Sequence, residues 1–222
     1  APQTVTLARA SQTEFRIFHV MPGHSVEIDG LTISGGHITG DNGGGILNDN
    51  STLTIAHCTV TGNAIVSGNS ANNFGGGMHN SGTMTLNQVS VTLNNADWGG
   101  DPFHIPIGGG ISNTGTMIII AGVIQANMGV WSAGGIYNTG MITVTGSTVS
   151  DNQTGNIGGH FGGDAGGIEN DGTMTVQDST ISGNRANGAG FGGGYGGGIF
   201  GNNFDNNNTI TNSTITGNSA HF

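Results

Sequence analysis

The residues that could carry chemistry are few and scattered. The 222-residue chain holds thirteen acids, eight histidines, one cysteine and three arginines, with no lysine. Cleaving a glycosidic bond by acid–base chemistry needs two carboxyl groups converging on it. A transition-metal centre needs His, Cys or carboxylate ligands at short, fixed spacings. The histidines stand singly, without such a spacing, and read as surface or loop residues. Cys58 lies two residues before Val60 in an alternating segment, so it reads as a small buried core residue. The segment from Gly158 to Asp164 combines four glycines with His160, Phe161 and an acid. Calcium held there by Asp164 and carbonyl oxygens is one reading, although the nonapeptide period of calcium-binding repeats is missing. No other cofactor is expected. Four Asn-x-Ser/Thr sequons begin at Asn50, Asn152, Asn207 and Asn212, as chance matches would in a chain this rich in Asn, Ser and Thr.

What must position these residues is a repeat. Gly-Gly followed by an apolar residue recurs at Gly44-Gly45-Ile46, Gly76-Gly77-Met78, Gly109-Gly110-Ile111, Gly134-Gly135-Ile136, Gly166-Gly167-Ile168 and Gly197-Gly198-Ile199. Further apolar columns follow at Leu53, Met84, Met117, Ile142 and Met174, and at Ile55, Leu86, Ile119, Val144, Val176 and Ile210. Five residues on lies the column Val60, Val91, Ile124, Val149, Ile181 and Ile215. Each unit closes on an asparagine: Asn63, Asn94, Asn127, Asn152, Asn184 and Asn218. Locally the pattern has period 2, as in Thr52-Leu53-Thr54-Ile55, which reads as short strands punctuated by Gly and Asn. Forty-five glycines spread through the chain would weaken any helix by roughly 1 kcal/mol each against Ala.

One unit cannot bury its apolar side alone, whereas stacked units do so as continuous columns. The repeat predicts an all-β parallel β-helix with three short strands per coil and about seven coils. At roughly 4.8 Å per coil the rod is roughly 30–35 Å long. Residues 17–222 form this single domain. Residues 1–16 precede it, with Thr4-Val5-Thr6-Leu7 alternating like a strand that caps the first coil or reaches into a neighbour.

The Gly-Gly-Ile anchors, Gly108-Gly109-Gly110-Ile111, Ala133-Gly134-Gly135-Ile136 and Ala165-Gly166-Gly167-Ile168, resemble those of chlamydial polymorphic outer-membrane proteins and related bacterial surface repeat proteins. The resemblance runs from about Phe18 to Asn218. It implies a right-handed coil, cell-surface display, and adhesion or surface coating rather than catalysis. Two features depart from that family. The Phe-x-x-Asn element is replaced by Ser/Thr-Gly-Asn, and no C-terminal membrane barrel follows.

On the coil, the acids do not pair. Glu169 falls between Tyr137 and Phe200, Asp151 between Ala126 and Gly183, and Asp178 between Gly146 and Asn212. Asp97, Asp101 and Asp164 fall in loops, where an approach to one another stays open. The chain is therefore read as no enzyme, with a polysaccharide lyase or hydrolase kept as an alternative. The rows Thr52/Thr54, Thr83/Thr85 and Thr173/Thr175 give ice binding as another, although Ile118 and Met141 interrupt them.

Loops of variable length separate each closing asparagine from the next anchor: Ala64–Phe74, Asn95–Ile107, Met128–Ser132, Gln153–Asp164 and Arg185–Tyr195. Repeat proteins place function on such loops. They hold the candidate partner-binding residues Trp98, Phe103, His104, Trp131, His160, Phe161, Phe191 and Tyr195, an aromatic ridge suited to a surface glycan or protein. The chain stops where another anchor would begin, without a capping helix, which leaves an edge ready to pair. Val5, Leu7, Ile215 and Phe222 form the candidate assembly segment, and a head-to-tail homopolymer is the expected self-partner.

Charge removes other classes. A net charge of −10 opposes nucleic acid, whose phosphates need Lys and Arg, and equally opposes anionic lipid. The longest apolar run, Met117 to Val123 broken by Gly122, is too short to cross a bilayer. The expectation is an extracellular or cell-surface structural protein.

Overall fold

The computed structural model describes residues 5–66, 73–97, 106–155, 163–188, 194–201 and 208–221. Every element in it is a β-strand. The strands stack into parallel sheets, three of seven strands and one of eight, and the chain winds about six turns as a β-solenoid. The second coil shows the pattern, with strands Ile46–Asn48, Thr52–Ala56, Thr59–Thr61 and Ala64–Val66. Below they are named the anchor, Thr, Ser-Thr and closing strands.

The coil therefore has four sheets where three strands were expected. The extra strand begins right after the closing asparagine, at the start of each stretch read above as loop. Its members are short and unlike one another: Ala64–Val66, Asn95–Asp97, Met128–Gly129, Gln153–Thr154 and Arg185–Asn187. Their inward residues, Ile65, Ala96, Gly129, Thr154 and Ala186, are buried but share no chemistry. Two or three residues are too few to display a period of two.

Single left-handed residues turn the chain between sheets. From the Thr to the Ser-Thr strand they include Gly30, His57, Gln88, Ala121, Gly146, Asp178 and Asn212. From there to the closing strand they are Gly35, Gly62, Leu93, Ala126, Asp151, Gly183 and Gly217. This explains the constant step between columns. Inside, Ile33, Val60, Val91, Ile124, Val149 and Ile181 are wholly buried in one aligned column. Full burial of each such side chain contributes about 1.5–3 kcal/mol.

Two amide ladders run beside the apolar columns. In the closing-asparagine ladder, each Nδ2 donates to the next Oδ1 from Asn63 through Asn94, Asn127, Asn152 and Asn184 to Asn218, at 2.9–3.0 Å. Each Oδ1 also accepts the backbone N–H of the preceding asparagine. The second glycine of each anchor lies against this ladder and, in all but the last, the next coil's backbone, and the first lies against backbone alone, as at Gly109, where a Cβ would overlap the Met128 oxygen. A Cβ on Gly110 would stand 2.7 Å from the Gly135 oxygen and 3.0 Å from the Asn127 amide. The second ladder, Asn48, Asn80, Asn113, Asn138 and Asn170, links the anchor strands and ends on Asn208, just before the last Thr strand, at 2.6–3.0 Å. Sequence reasoning missed it, although an asparagine does stand two places after most anchor residues.

The N-terminal strand Val5–Ala8 pairs with Leu31–Ser34 of its own first coil. The following segment crosses back, bridging Phe15 to His37 antiparallel. Among the described residues no helix is long and apolar enough to cross a membrane.

Two substitutions test this account. Asn127→Ala removes both a donor and a shared acceptor from a buried ladder, and should destabilise by about 3 kcal/mol or more in urea unfolding. Leu93 is 66% exposed at φ 56°. Relief of its left-handed strain should let Leu93→Gly stabilise the fold by about 0.5–1 kcal/mol.

Candidate functional site

The most chemically varied surface is the outer face of the anchor sheet. The middle residue of each anchor strand points outward there, giving the register His19, Leu47, His79, Ser112, Tyr137, Glu169 and Phe200. Corner residues just before the glycine anchors come from a neighbouring position in each coil: Asn42, Phe74, Ile107, Ser132, Asp164 and Tyr195. They hydrogen-bond from coil to coil. Phe74 N–H donates to Asn42 Oδ1 at 2.9 Å. Gly75 N–H donates to the Ile107 oxygen at 2.9 Å, and Tyr195 N–H to the Asp164 oxygen at 3.1 Å.

Side chains from the two columns interlock. The Phe74 ring lies 5.8 Å from His79 and 6.3 Å from Tyr137, stacked on both. Tyr195 stacks on Phe200 at 5.3 Å. The Ser132 hydroxyl donates to Glu169 Oε2, and the Tyr137 hydroxyl donates to Asp171 Oδ2 at 3.3 Å.

Burial sets the protonation states of this strip. Glu169, 5% exposed, is pushed up to about 8 by burial, reinforced by Asp164 and Asp171 and opposed by its bonds from Ser132 and the Ala133 backbone. Burial and Asp171 push Asp164 up to about 6. Burial, with the acids around it, raises the Tyr137 phenol far above its usual range. Burial lowers His79 to about 4, so its ring is neutral at pH 7, with Nδ1 3.3 Å from Ser112 Oγ. At pH 7 the strip thus holds a protonated Glu169 close to an ionised Asp164.

Among the described strand faces no two acids stack, as expected, and the acid that acts on Glu169 comes from a corner. On the strand face Glu169 does fall between Tyr137 and Phe200, but Asp164 reaches it from the corner. Asp97 lies instead in a closing strand, and Asp101 lies outside the described residues. Two positions carried the missed signal. Asp164 stands just before an anchor and Glu169 just after its apolar residue, and aligning the units on their glycines places the corner beside the strand.

Trp131 is half-buried, and its oxygen accepts the Asp164 N–H at 3.1 Å. Tyr195 is 59% exposed. The other candidate partner residues, Trp98, Phe103, His104, His160, Phe161 and Phe191, lie outside the described residues, as does Phe222 of the assembly segment. The glycine-rich calcium candidate does too, apart from Gly163 and Asp164. Among the described residues no group of three His, Cys, Asp or Glu is placed to hold a metal. Cys58 is buried, its Sγ 3.3 Å from the Leu31 N–H that it accepts, and burial pushes its thiol up. Asn152 is fully buried within a ladder, so of the described sequons only Asn50 and Asn212 are accessible.

The chain matches no protein-family model, no curated protein and no solved structure.

The raised groups predict a pH profile. Protonation of Glu169 favours the fold fully below its unfolded value of 4.5, and that contribution is lost as pH rises through about 8. Asp164 acts the same way between 3.8 and about 6. His79 acts oppositely, its contribution present above 6.5 and lost as pH falls through about 4. Above 6.5 Glu169 dominates. Urea-unfolding free energy should fall between pH 6.5 and 8 by at most about 1.4 kcal/mol per pH unit, and should stay flat there in Glu169→Gln.

Proposed function

We propose that the chain is a non-catalytic extracellular structural and adhesive protein, extending end to end as stacked copies or as one stretch of a longer surface stalk. The coil is read as right-handed and the location as the cell surface, both following the resemblance of the Gly-Gly-Ile anchors. The observation that carries the proposal is the fate of one core column. Leu7 and Ile215 are its two ends, in register with Ile33 and Ile181 respectively, and they are 37% and 49% exposed. Val5 at one end and Ile210 at the other are exposed as well, at 60% and 44%. A following coil, or the first strand of a second copy, would continue both the hydrogen-bonded sheet and the column. Trp131 and the exposed Tyr195, at the rim of the anchor-sheet strip, are the described residues offered to a glycan or protein partner.

A second reading, a glycan hydrolase or lyase, rests on Asp164 and Glu169. Adjacent carboxyl groups held in opposite protonation states are what acid–base cleavage of a glycosidic bond uses. Release of reducing or unsaturated ends from polysaccharides, lost in Glu169→Gln, would establish it over the structural reading. The Thr rows carry ice binding less far, because Ile118 and Met141 stand exposed within them at 37% and 53%.

Sedimentation velocity over a range of concentrations, with electron microscopy of the same samples, tests the stacking. The protein should form rods that lengthen with concentration, and Ile215→Asp or Leu7→Asp should leave single particles. Single particles of the unaltered chain at every concentration would remove self-stacking.

A further inference from the structure

The Ser-Thr sheet, with eight strands, is one strand longer than the other three, and its outer face is the most uniform of the four among the described residues. We propose that this face binds ice, seating two parallel rows of hydroxyl groups on the water lattice of a crystal surface. The proposal goes beyond the structural and adhesive reading and stands without it.

Each strand of this sheet turns its middle residue into the core column and the two residues beside it outward. Pairing holds that register from residues 6–8 through 32–34 to Thr214–Thr216 without a slip. The outward positions therefore form two straight rows along the coil axis. All of them except Ala8, Val123 and Gln125 are Thr or Ser. All except Ser150 are at least partly exposed. None carries a charge, although the chain has a net charge of −10. Within one row the Thr92 hydroxyl donates to the Thr61 hydroxyl at 3.2 Å.

This uniformity is not imposed by the coil, because the neighbouring sheets lack it. The outer face of the Thr sheet mixes Glu27, Asn87, Ile118, Ile120, Met141 and Gln177 with its threonines. The anchor sheet displays rings and carboxyl groups. Ice therefore belongs on the Ser-Thr rows and not on the interrupted rows beside them.

The spacing of the array selects its occupant. Neighbouring strands stand about 4.8 Å apart, and outward residues on one strand roughly 6.6–6.8 Å apart. These lengths lie close to the two perpendicular oxygen repeats on the prism face of hexagonal ice. Hydroxyl groups at such positions hold bridging water where the lattice requires it, and the threonine methyl groups between them keep other water out. The β-branched side chains are stiff about χ1, so little rotamer freedom is lost on binding. One hydroxyl contributes little, but a rigid array engages many at once. A charged partner would find no countercharge here, and the face offers no aromatic ring to stack on a sugar.

Freezing-point osmometry on the full chain, with microscopy of the growing crystal, tests the proposal. The unaltered protein should open a gap between melting and freezing temperatures and should facet the ice. Thr92→Tyr, in the middle of the array, should narrow that gap severalfold. Thr85→Tyr, which also points outward but on the Thr sheet, should leave it unchanged. Val123→Thr/Gln125→Thr fills both interruptions on one strand and should widen the gap. That variant keeps good strand residues, so it serves where Thr92→Tyr does not fold. Stacked or single, the chain presents the same face, and the outcome does not turn on self-association. An unaltered chain that neither opens a gap nor facets ice would overturn the proposal, as would equal loss in the two tyrosine variants or no gain on filling the strand.

Discussion

The closing-asparagine ladder packed against the glycine anchors is the constraint on which the rest of the structure depends. A solenoid interior is apolar, yet each corner buries peptide groups that the sheets leave unpaired, and each of these would carry a penalty of about 1–3 kcal/mol. The Asn127 amide meets that demand four ways. Its Oδ1 accepts from Asn94 Nδ2 and from the Asn94 N–H, and its Nδ2 donates to Asn152 Oδ1 and to the Val91 oxygen. No shorter or longer polar side chain reaches all four partners. The amide and the next coil's backbone fill the corner, so the residue facing them must lack a Cβ, and Gly110 follows from the Gly135 oxygen together with Asn127. The strand columns then keep one register from coil to coil, because the ladder permits no slip.

That rigidity shifts variation into the corners. Between closing strand and anchor the chain is free to change length and composition, and the corner residues run from Asn42 through Phe74 and Ser132 to Asp164 and Tyr195. The outer face of the anchor sheet varies with them. Aromatic contacts occupy coils where the two columns offer rings, as at Phe74 with His79 and Tyr137. Acids act on one another where the columns offer them, as Asp164 does on Glu169. The same burial raises the acids and lowers His79, so Glu169 and His79 are neutral at pH 7 although the chain as a whole is strongly acidic.

How far the sequence can be read follows from repetition. Ile124 was recognisable as core because Val60, Val91, Val149 and Ile181 recur at its place, and one residue type at one register is a statement about the interior. The closing strands have no such recurrence. Ile65, Ala96, Gly129, Thr154 and Ala186 share burial alone, so they passed for loop and the fourth sheet was missed. Glu169 occurs once in its column and was weighed only against strand neighbours. Its decisive neighbours, Ser132 and Asp164, come from corners whose approach depends on how the coil closes.

By itself, then, the sequence determined the all-β coil, its parallel stacking, the apolar columns and the burial of Cys58, because these follow from a local period and from burial that every unit must satisfy. Tertiary structure alone decided the fourth sheet, the second asparagine ladder and the meeting of Ser132, Tyr137, Asp164, Glu169 and Asp171. The physical reason is range. A strand's alternation is set by its own residues, whereas the charge state of Glu169 is set by groups several coil positions away, brought together only when the corners fold over the sheet.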